Sequence, residues 1–327
     1  MPDVRQAAGS GIENVNMLEL KILEKRQLAE GIWLFDLVHP DGEDLPPFGA
    51  GGHIPVRTPS GAMRHYSLSN NPSERHRYQI AIKHEPNSRG GSRSMVEDAD
   101  VGDLLSVEEP GNDFPLGDAP DYLLIAGGIG ITPILAMARQ LTDEGKSFHL
   151  VYCSRSAAQA GFLDVLTSDA VGGKVTVHHD GGDPDAVYDF WDLLENPSKT
   201  HVYCCGPKPL MEEIRGMTGH WPEAAIHFED FSPVERIRAE DKAFRVTLAK
   251  SGKTVDVAAD QTILEALRDA GCQTVSSCES GTCGTCKTGL LEGEPDHRDM
   301  VLMDEEKSGQ IMICVSRALG GDLVLDL

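Results

Sequence analysis

Tyr122-Leu123-Leu124-Ile125-Ala126-Gly127-Gly128-Ile129-Gly130-Ile131-Thr132-Pro133 is the stretch at which the pattern of this chain changes. Before it lie short segments separated by turn residues. Here an uninterrupted apolar run meets a glycine turn and passes into a helical period over residues 134–143. The unit then recurs. Residues 147–153 lead to a helix over 162–168, residues 174–179 to a helix near 187–194, and residues 201–205 to a helix over 208–217. Strands alternating with helices predict an α/β domain built on a parallel sheet with helices on both faces.

Upstream, the segments 18–23, 31–38, 53–57, 78–84 and 104–108 carry alternating or β-branched apolar residues bounded by Asp-Gly, Pro-Pro, Ser-Gly and Gly-Gly. With no helical period competing, an antiparallel β-barrel is expected. Downstream, residues 232–243 are charged and aperiodic, a linker. Past it, 244–249 and 253–257 flank Ser251-Gly252 as a hairpin, and 262–270 place Ile263, Leu264, Leu267 and Ala270 on one helical face before Gly271. Three modules are thus expected. They are 1–118, with 1–15 as a flexible tail, then 119–233, then 234–327.

The length of 327 residues suits two or three domains, and 40% hydrophobic with 25% charged residues describes a chain that folds. A formal charge of −23 repels a phosphate backbone, so nucleic acid is not an expected partner. The longest uncharged stretch, residues 122–138, is interrupted by Gly127, Gly128, Gly130, Thr132 and Pro133. A membrane span needs about 20 mostly apolar residues. The opening MPDVRQAAGSGIENVN lacks the apolar run of a secretory signal, so a cytoplasmic location with reduced thiols is expected.

The eight cysteines then need another explanation. Cys278, Cys283 and Cys286 are spaced C-x4-C-x2-C, and Cys314 follows after 27 residues. That is the spacing of plant-type [2Fe–2S] ligands, whereas structural zinc modules use two short-spaced pairs. Gly281, Thr282, Gly284 and Thr285 let backbone amides approach cluster sulfurs. Cys153, Cys204, Cys205 and Cys272 are expected to be ordinary buried thiols.

Against the acidic whole, residues 57–93 hold seven Arg or Lys and only Glu74 and Glu85 as acids. Such an island suits either a bound anion or a solvated basic loop. Arg89-Gly90-Gly91-Ser92 within it offers backbone donors to an anion.

The island also contains Arg64-His65-Tyr66-Ser67-Leu68. Taken with RGGSRSM at 89–95, GGIGITP at 127–133, CCGP at 204–207, FEDFS at 228–232 and the cysteine loop, the chain from about Val15 resembles the phthalate dioxygenase reductase family, the reductases of Rieske-type oxygenases in the ferredoxin-reductase superfamily. The resemblance implies a flavin barrel, a nicotinamide domain and a β-grasp plant-type ferredoxin domain, in that order. It implies FMN rather than FAD, with Arg64 on the flavin phosphate, Tyr66 on the isoalloxazine and Ser67, a catalytic candidate, near N5. Ile82, Lys83, His84, Gly90, Gly91 and Ser92 would line the site. His65 falls inside the motif at a position the family varies; it either faces the flavin, as a further cofactor contact, or faces solvent.

The turn at Gly128, Gly130 and Thr132 opens a helix, where amides and the helix dipole suit a pyrophosphate. It departs from G-x-G-x-x-G, since Pro133 replaces the last glycine. The resemblance pairs it with Cys205-Gly206, placing Cys205, the second catalytic candidate, and Gly206 at the nicotinamide. Arg155, between Ser154 and Ser156, favours a 2′-phosphate and hence NADPH. The resemblance favours NADH. Phe231 either covers the flavin or anchors the linker.

A hydride carries two electrons and an iron–sulfur cluster takes one, so a flavin intermediary is required. The expected enzyme passes electrons from NADH through FMN to a [2Fe–2S] cluster and on to a Rieske-type terminal oxygenase. Alternative acceptors are a cytochrome P450 or a diiron monooxygenase. A different class is an electron carrier with a vestigial dinucleotide domain. Residues 240–327 hold 16 acids and 9 bases, which suits a basic docking face on the acceptor.

Overall fold

The structure, a computed structural model, describes residues 17–85, 90–168, 170–231, 237–238, 240–276, 281, 284–299, 301–303 and 305–327. The expected tail, Arg89, part of the linker, and the candidate ligands Cys278 and Cys283 lie outside them. By internal packing the chain divides into two compact units. One comprises the described residues up to Asp118 with Thr132–Ser147 and Ser154–Val175; the other comprises Ala119–Ile131, Phe148–Cys153 and Thr176–Leu327.

In the first unit β1 (Met17–Ala29), β2 (Ile32–Val38), β3 (His53–Arg57), β4 (Met63–Ser67), β5 (Tyr78–Lys83) and β6 (Leu104–Glu108) form one sheet, with α1 (Gly91–Glu97) between β5 and β6. The order is β4-β3-β6-β1-β2-β5, with antiparallel neighbours, and a bridge from Leu68 to Ile80 closes the sheet on itself. Alternation puts Leu20, Ile22, Phe35, Leu37, Ile54, Val56, Ile80 and Ile82 inside. β1 runs past the expected 18–23 because a bulge between Ile22 and Glu24 breaks the alternation while pairing with β2 continues to Ala29. β4 and α1 were absent from the expected elements. Met63-Arg64-His65-Tyr66-Ser67 has no apolar alternation, and α1 starts on glycine.

The parallel sheet comprises β7 (Asp121–Gly127), β8 (Phe148–Ser154), β9 (Lys174–His179), β10 (Thr200–Cys205) and β11 (Ile226–Glu229) in the order β11-β10-β7-β8-β9. Between the strands come α2 (Ile131–Asp143), α3 (Leu163–Leu166), α4 (Trp191–Leu194) and α5 (Lys208–Thr218). Two helices are shorter than expected. The Thr167 and Ser168 hydroxyls turn back onto the Leu163 and Val165 carbonyls and end α3. Asp189 Oδ1 accepts the Trp191 amide at 2.9 Å, so α4 begins there rather than near 187.

The last sheet comprises β12 (Phe244–Leu248), β13 (Thr254–Val257), β14 (Lys287–Glu292), β16 (Gln310–Met312) and β18 (Leu323–Leu325) in the order β13-β12-β18-β14-β16. A separate ribbon pairs β15 (Pro295–Asp296) with β17 (Arg317–Ala318). Strands β12 and β18 run parallel, the remaining pairs antiparallel. The helix α6 (Ile263–Asp269) opens with a complete capping box. The Glu265 amide donates to Thr262 Oγ1, and Glu265 Oε2 accepts from the Thr262 amide. Its Ile263, Leu264 and Leu267 join Val246, Val255 and Ile311 in the core, the β-grasp arrangement expected for this segment. Among the described residues, no helix is long and apolar enough to cross a membrane.

Candidate functional site

The motif at residues 64–67 lies on β4, and strand alternation splits it. Val56 stands opposite Arg64 and Ile54 opposite Tyr66, so Arg64 and Tyr66 take the core side while His65 and Ser67 take the other. Tyr66 packs against the barrel core, and its hydroxyl is buried without a hydrogen-bond partner among the described residues. Burial raises this phenol above its ordinary range, with the Arg64 charge opposing. A buried, unsatisfied hydroxyl near a cation is what a polar ligand would satisfy.

Arg64 forms the rest of the cradle. Its Nη1 donates to the Met63 carbonyl at 2.6 Å, and its side chain lies across Gly91, where a Cβ would fall 2.6 Å from Nε. Gly90 at φ 96° takes the left-handed conformation that starts α1. Ser94 Oγ donates to the Gly91 carbonyl at 3.0 Å and accepts the Ser60 amide at 3.2 Å, fixing the turn. Ser92, half-buried, follows on α1. A guanidinium pressed against a glycine turn offers charge and close backbone approach together, which fits a flavin phosphate.

The other expected flavin neighbours are engaged within the protein. The Ile82 side chain belongs to the core, and Lys83, exposed, pairs with Glu85 at 2.5 Å. His84 Nε2 meets Glu97 Oε1 at 3.0 Å. Ser67 is buried. His65 is half-buried. It stacks on His53 with ring centroids 4.9 Å apart and planes at 23°. His53 was missed because its role depends on a cross-strand neighbour that no local pattern reveals.

At the ends of β7 and β10 two backbones meet. A Cβ on Gly130 would lie 2.2 Å from the Cys205 carbonyl oxygen, and one on Gly127 would lie 2.5 Å from Pro207 Cδ. A Cβ on Gly206 would come within 3.0 Å of the Gly127 backbone. Gly128, at φ +54°, has open space at the same position, and its carbonyl accepts the Tyr152 hydroxyl at 3.2 Å. Packing between turns therefore dictates Gly127, Gly130 and Gly206, while Gly128 leaves room for a ligand.

Cys205 is fully buried. Burial first, then the charges of Glu229, Cys204 and Asp230, hold its thiol well above the ordinary range. It is a neutral S–H and not a nucleophile. The Cys153 and Cys204 thiols are pushed up to about 12, chiefly by burial. Cys204 is buried; Cys153 and Cys272 are half-buried. Thr132 is buried, Arg155 is exposed just past β8, and Phe231 is 40% exposed beyond β11.

Of the four expected cluster ligands, the described residues include Cys286 and Cys314, both buried and outside any disulfide. Lys287 pairs with Met312, so β14 and β16 bring the two thiols to the same end of one antiparallel pair. Gly281 and Gly284 hold φ +75° and +82°, and a Cβ on Gly281 would press to 2.8 Å from Val315 Cγ2. Buried soft donors beside a glycine-shaped turn fit an iron–sulfur cluster.

Comparison with known proteins agrees with this chemistry. A family model described as a 2Fe-2S iron-sulfur cluster binding domain matches residues 246–319. Phthalate dioxygenase reductase of Burkholderia cepacia is 51% identical over 313 residues, covering 95% of this chain and 97% of that protein. A solved phthalate dioxygenase reductase, described as a modular structure for electron transfer from pyridine nucleotides to [2Fe-2S], superposes with a TM-score of 0.83. It shares 51% identity and covers 95% of this chain and 98% of that one. An intact type IV self-sufficient cytochrome P450 monooxygenase matches 99% of this chain and 43% of its own length, with a TM-score of 0.75 and 39% identity.

Proposed function

We infer that this chain, which belongs to the phthalate dioxygenase reductase family, is an oxidoreductase that takes electrons from a pyridine nucleotide and delivers them to a [2Fe–2S] centre for an oxygenase partner. The observation that carries this is the presence, in one chain, of the Arg64–Gly91 cradle and the buried Cys286–Cys314 pair, in the module order of the relative. The division into modules at 118/119 and 233/234 belongs to the same proposal, as do the Rieske type of the oxygenase, NADH as the donor and a cytoplasmic location.

FMN, when bound, converts the electron pair of a hydride into two single-electron deliveries that a [2Fe–2S] cluster can accept. The residues of the chain hold the parts in place. Arg64 neutralises the flavin phosphate, with Gly90, Gly91 and Ser92 giving backbone approach and donors. Tyr66 would pack on the ring system, while Ser67 and His65, on the other face of β4, would offer hydrogen bonds near its edge. Lys83 and His84, held by Glu85 and Glu97, would flank the site, and Ile82 would contribute backbone only, its side chain lying in the core. Gly128 and Gly130 would receive the pyrophosphate and Cys205-Gly206 the nicotinamide, with the buried Cys205 thiol neutral. Thr132 and Arg155 remain candidates for the pyrophosphate and the ribose. Cys278, Cys283, Cys286 and Cys314 supply the four thiolates.

Adding NADH anaerobically to the purified protein should bleach its visible flavin absorbance without any second protein. An unresponsive chromophore would leave only the carrier with a vestigial dinucleotide domain. The similarity to the self-sufficient P450 supports a second acceptor class, and comparing reduction rates of a Rieske oxygenase and a P450 by the same preparation separates the two.

Arg64→Ala should weaken flavin retention about 10- to 100-fold, since it removes a charge-assisted contact worth roughly 1.5–3 kcal/mol. Flavin content after dialysis checks this, and the released flavin should chromatograph as FMN. An unchanged flavin-to-protein ratio would return the basic island to a solvated surface.

A further inference from the structure

The linker segment does not behave as a solvated charge run where it meets the iron–sulfur module. The Asp241 side chain is 6% exposed, and two buried guanidiniums converge on it. Arg298 Nη1 and Nη2 donate to Asp241 Oδ2 and Oδ1 at 2.8 and 2.5 Å, and Arg317 Nε lies 3.3 Å from Oδ2. The Arg298 and Arg317 side chains are 3% and 1% exposed. Asp296 takes the remaining edge of Arg298, with Nε donating to its Oδ2 at 2.7 Å. Arg317 also donates to the Gln261, Lys242 and Ala258 carbonyls. The fork on Asp241 holds its carboxyl down to about 2.

This network continues into the segment that carries Cys314. The Arg298 amide donates to Ser316 Oγ at 3.2 Å, and Ser316 Oγ reaches Asp299 Oδ2 at 3.5 Å. Asp299 in turn backs the cysteine loop, because a Cβ on Gly281 would fall 3.2 Å from Asp299 Cα. Asp241 itself lies outside residues 246–319, the span of the cluster-binding family match.

We propose that Asp241 is a positioning residue of the iron–sulfur centre. Through Arg298, Ser316 and Asp299 it braces the Gly281 turn and the Cys314 segment, and its carboxylate balances the charge of the two guanidiniums behind them. This rests on the reading of the four cysteines as cluster ligands. Arg298 and Arg317, with Arg238 3.6 Å from Asp296, are matched by Asp241, Asp296 and Asp299, so the group is formally neutral. Removing the acid leaves one positive charge there, which stabilises the more negative reduced cluster and raises its potential.

The test uses full-length holoprotein in four forms: Asp241→Asn, Asp241→Glu, Arg298→Gln and the double variant Asp241→Asn/Arg298→Gln. Flavin content and NADH-driven ferricyanide reduction should stay at parental values. Iron release to a chelator should quicken about 10-fold in Asp241→Asn, in line with losing a residue that supports metal ligands, and Asp241→Glu should restore most of it. The cluster potential, followed by EPR-monitored redox titration, should rise in Asp241→Asn, fall in Arg298→Gln and return towards the parent in the double variant. A merely structural defect would shift every variant the same way. Parental chelation rates and potentials in Asp241→Asn, or potentials that all move in one direction, would overturn the proposal. Should Asp241→Asn not fold, Arg298→Gln and the double variant still decide it: the potential must fall in Arg298→Gln and rise again when Asp241→Asn is added, and two equal potentials would overturn the proposal. A parent protein with no iron–sulfur EPR signal after reconstitution would instead overturn the cluster assignment itself.

Discussion

Cys314→Ser is expected to abolish electron delivery to a protein acceptor while NADH-driven reduction of ferricyanide continues near the parental rate. Cys314 is fully buried in the iron–sulfur module, so a serine there replaces a soft thiolate with a hard hydroxyl that also lacks a solvent contact. The cluster should be lost or labile. The proposed flavin cradle, residues 64–67 and 90–94, is far away in sequence, and ferricyanide can take electrons from flavin without docking at a cluster. Iron content, EPR and the two activities measured on one preparation check this. Loss of both activities with flavin still bound, or survival of both without iron, would refute the order of nicotinamide, flavin and cluster.

Gly130→Ala is expected to cripple nucleotide use, although glycine-to-alanine within a turn is often mild. The new methyl would meet the Cys205 carbonyl oxygen at 2.2 Å, the Cys205 carbonyl carbon at 2.5 Å and the Gly206 amide nitrogen at 2.9 Å. All three are backbone atoms, so no side chain can rotate aside. Such overpacking costs about 1–3 kcal/mol or more. The relief has to come from parting the β7 and β10 turns, which the proposed nicotinamide site uses. KM for NADH should rise by about 10-fold or more, equivalent to roughly 1.4 kcal/mol, with flavin content unchanged. Stopped-flow reduction of the bound flavin measures the effect directly. A parental KM would show that the turn separation does not matter to the nucleotide.

What could be read from the sequence follows how local its cause is. The barrel strands β2, β3 and β6 and the parallel strand β10 announce themselves, because burial of one or both faces imposes an apolar pattern within five to seven residues. The β4 strand does not. Its Arg64, His65 and Ser67 are polar and erase the alternation that identifies a strand. The cysteine spacing was legible because C-x4-C-x2-C is a local pattern, and a cluster-binding family model matches the segment that carries it. The His53–His65 stack and the Asp241–Arg298 pair were not, since each joins residues whose proximity exists only after the chain has folded. Asp241 is the sharper case, because a charged residue in a charged segment reads as solvated unless its partners are known.

The central strand of the iron–sulfur sheet, β18, pairs in parallel with β12 and antiparallel with β14, and it follows all four cysteines in the sequence. During synthesis the ribosome therefore releases every candidate ligand before the strand that joins the two halves of that sheet exists. Pairings of such long sequence separation form late. The two halves of that sheet are thus joined only when residues 323–325 are in place, so a chain cut before β18 should leave Cys286 and Cys314 without a closed sheet around them.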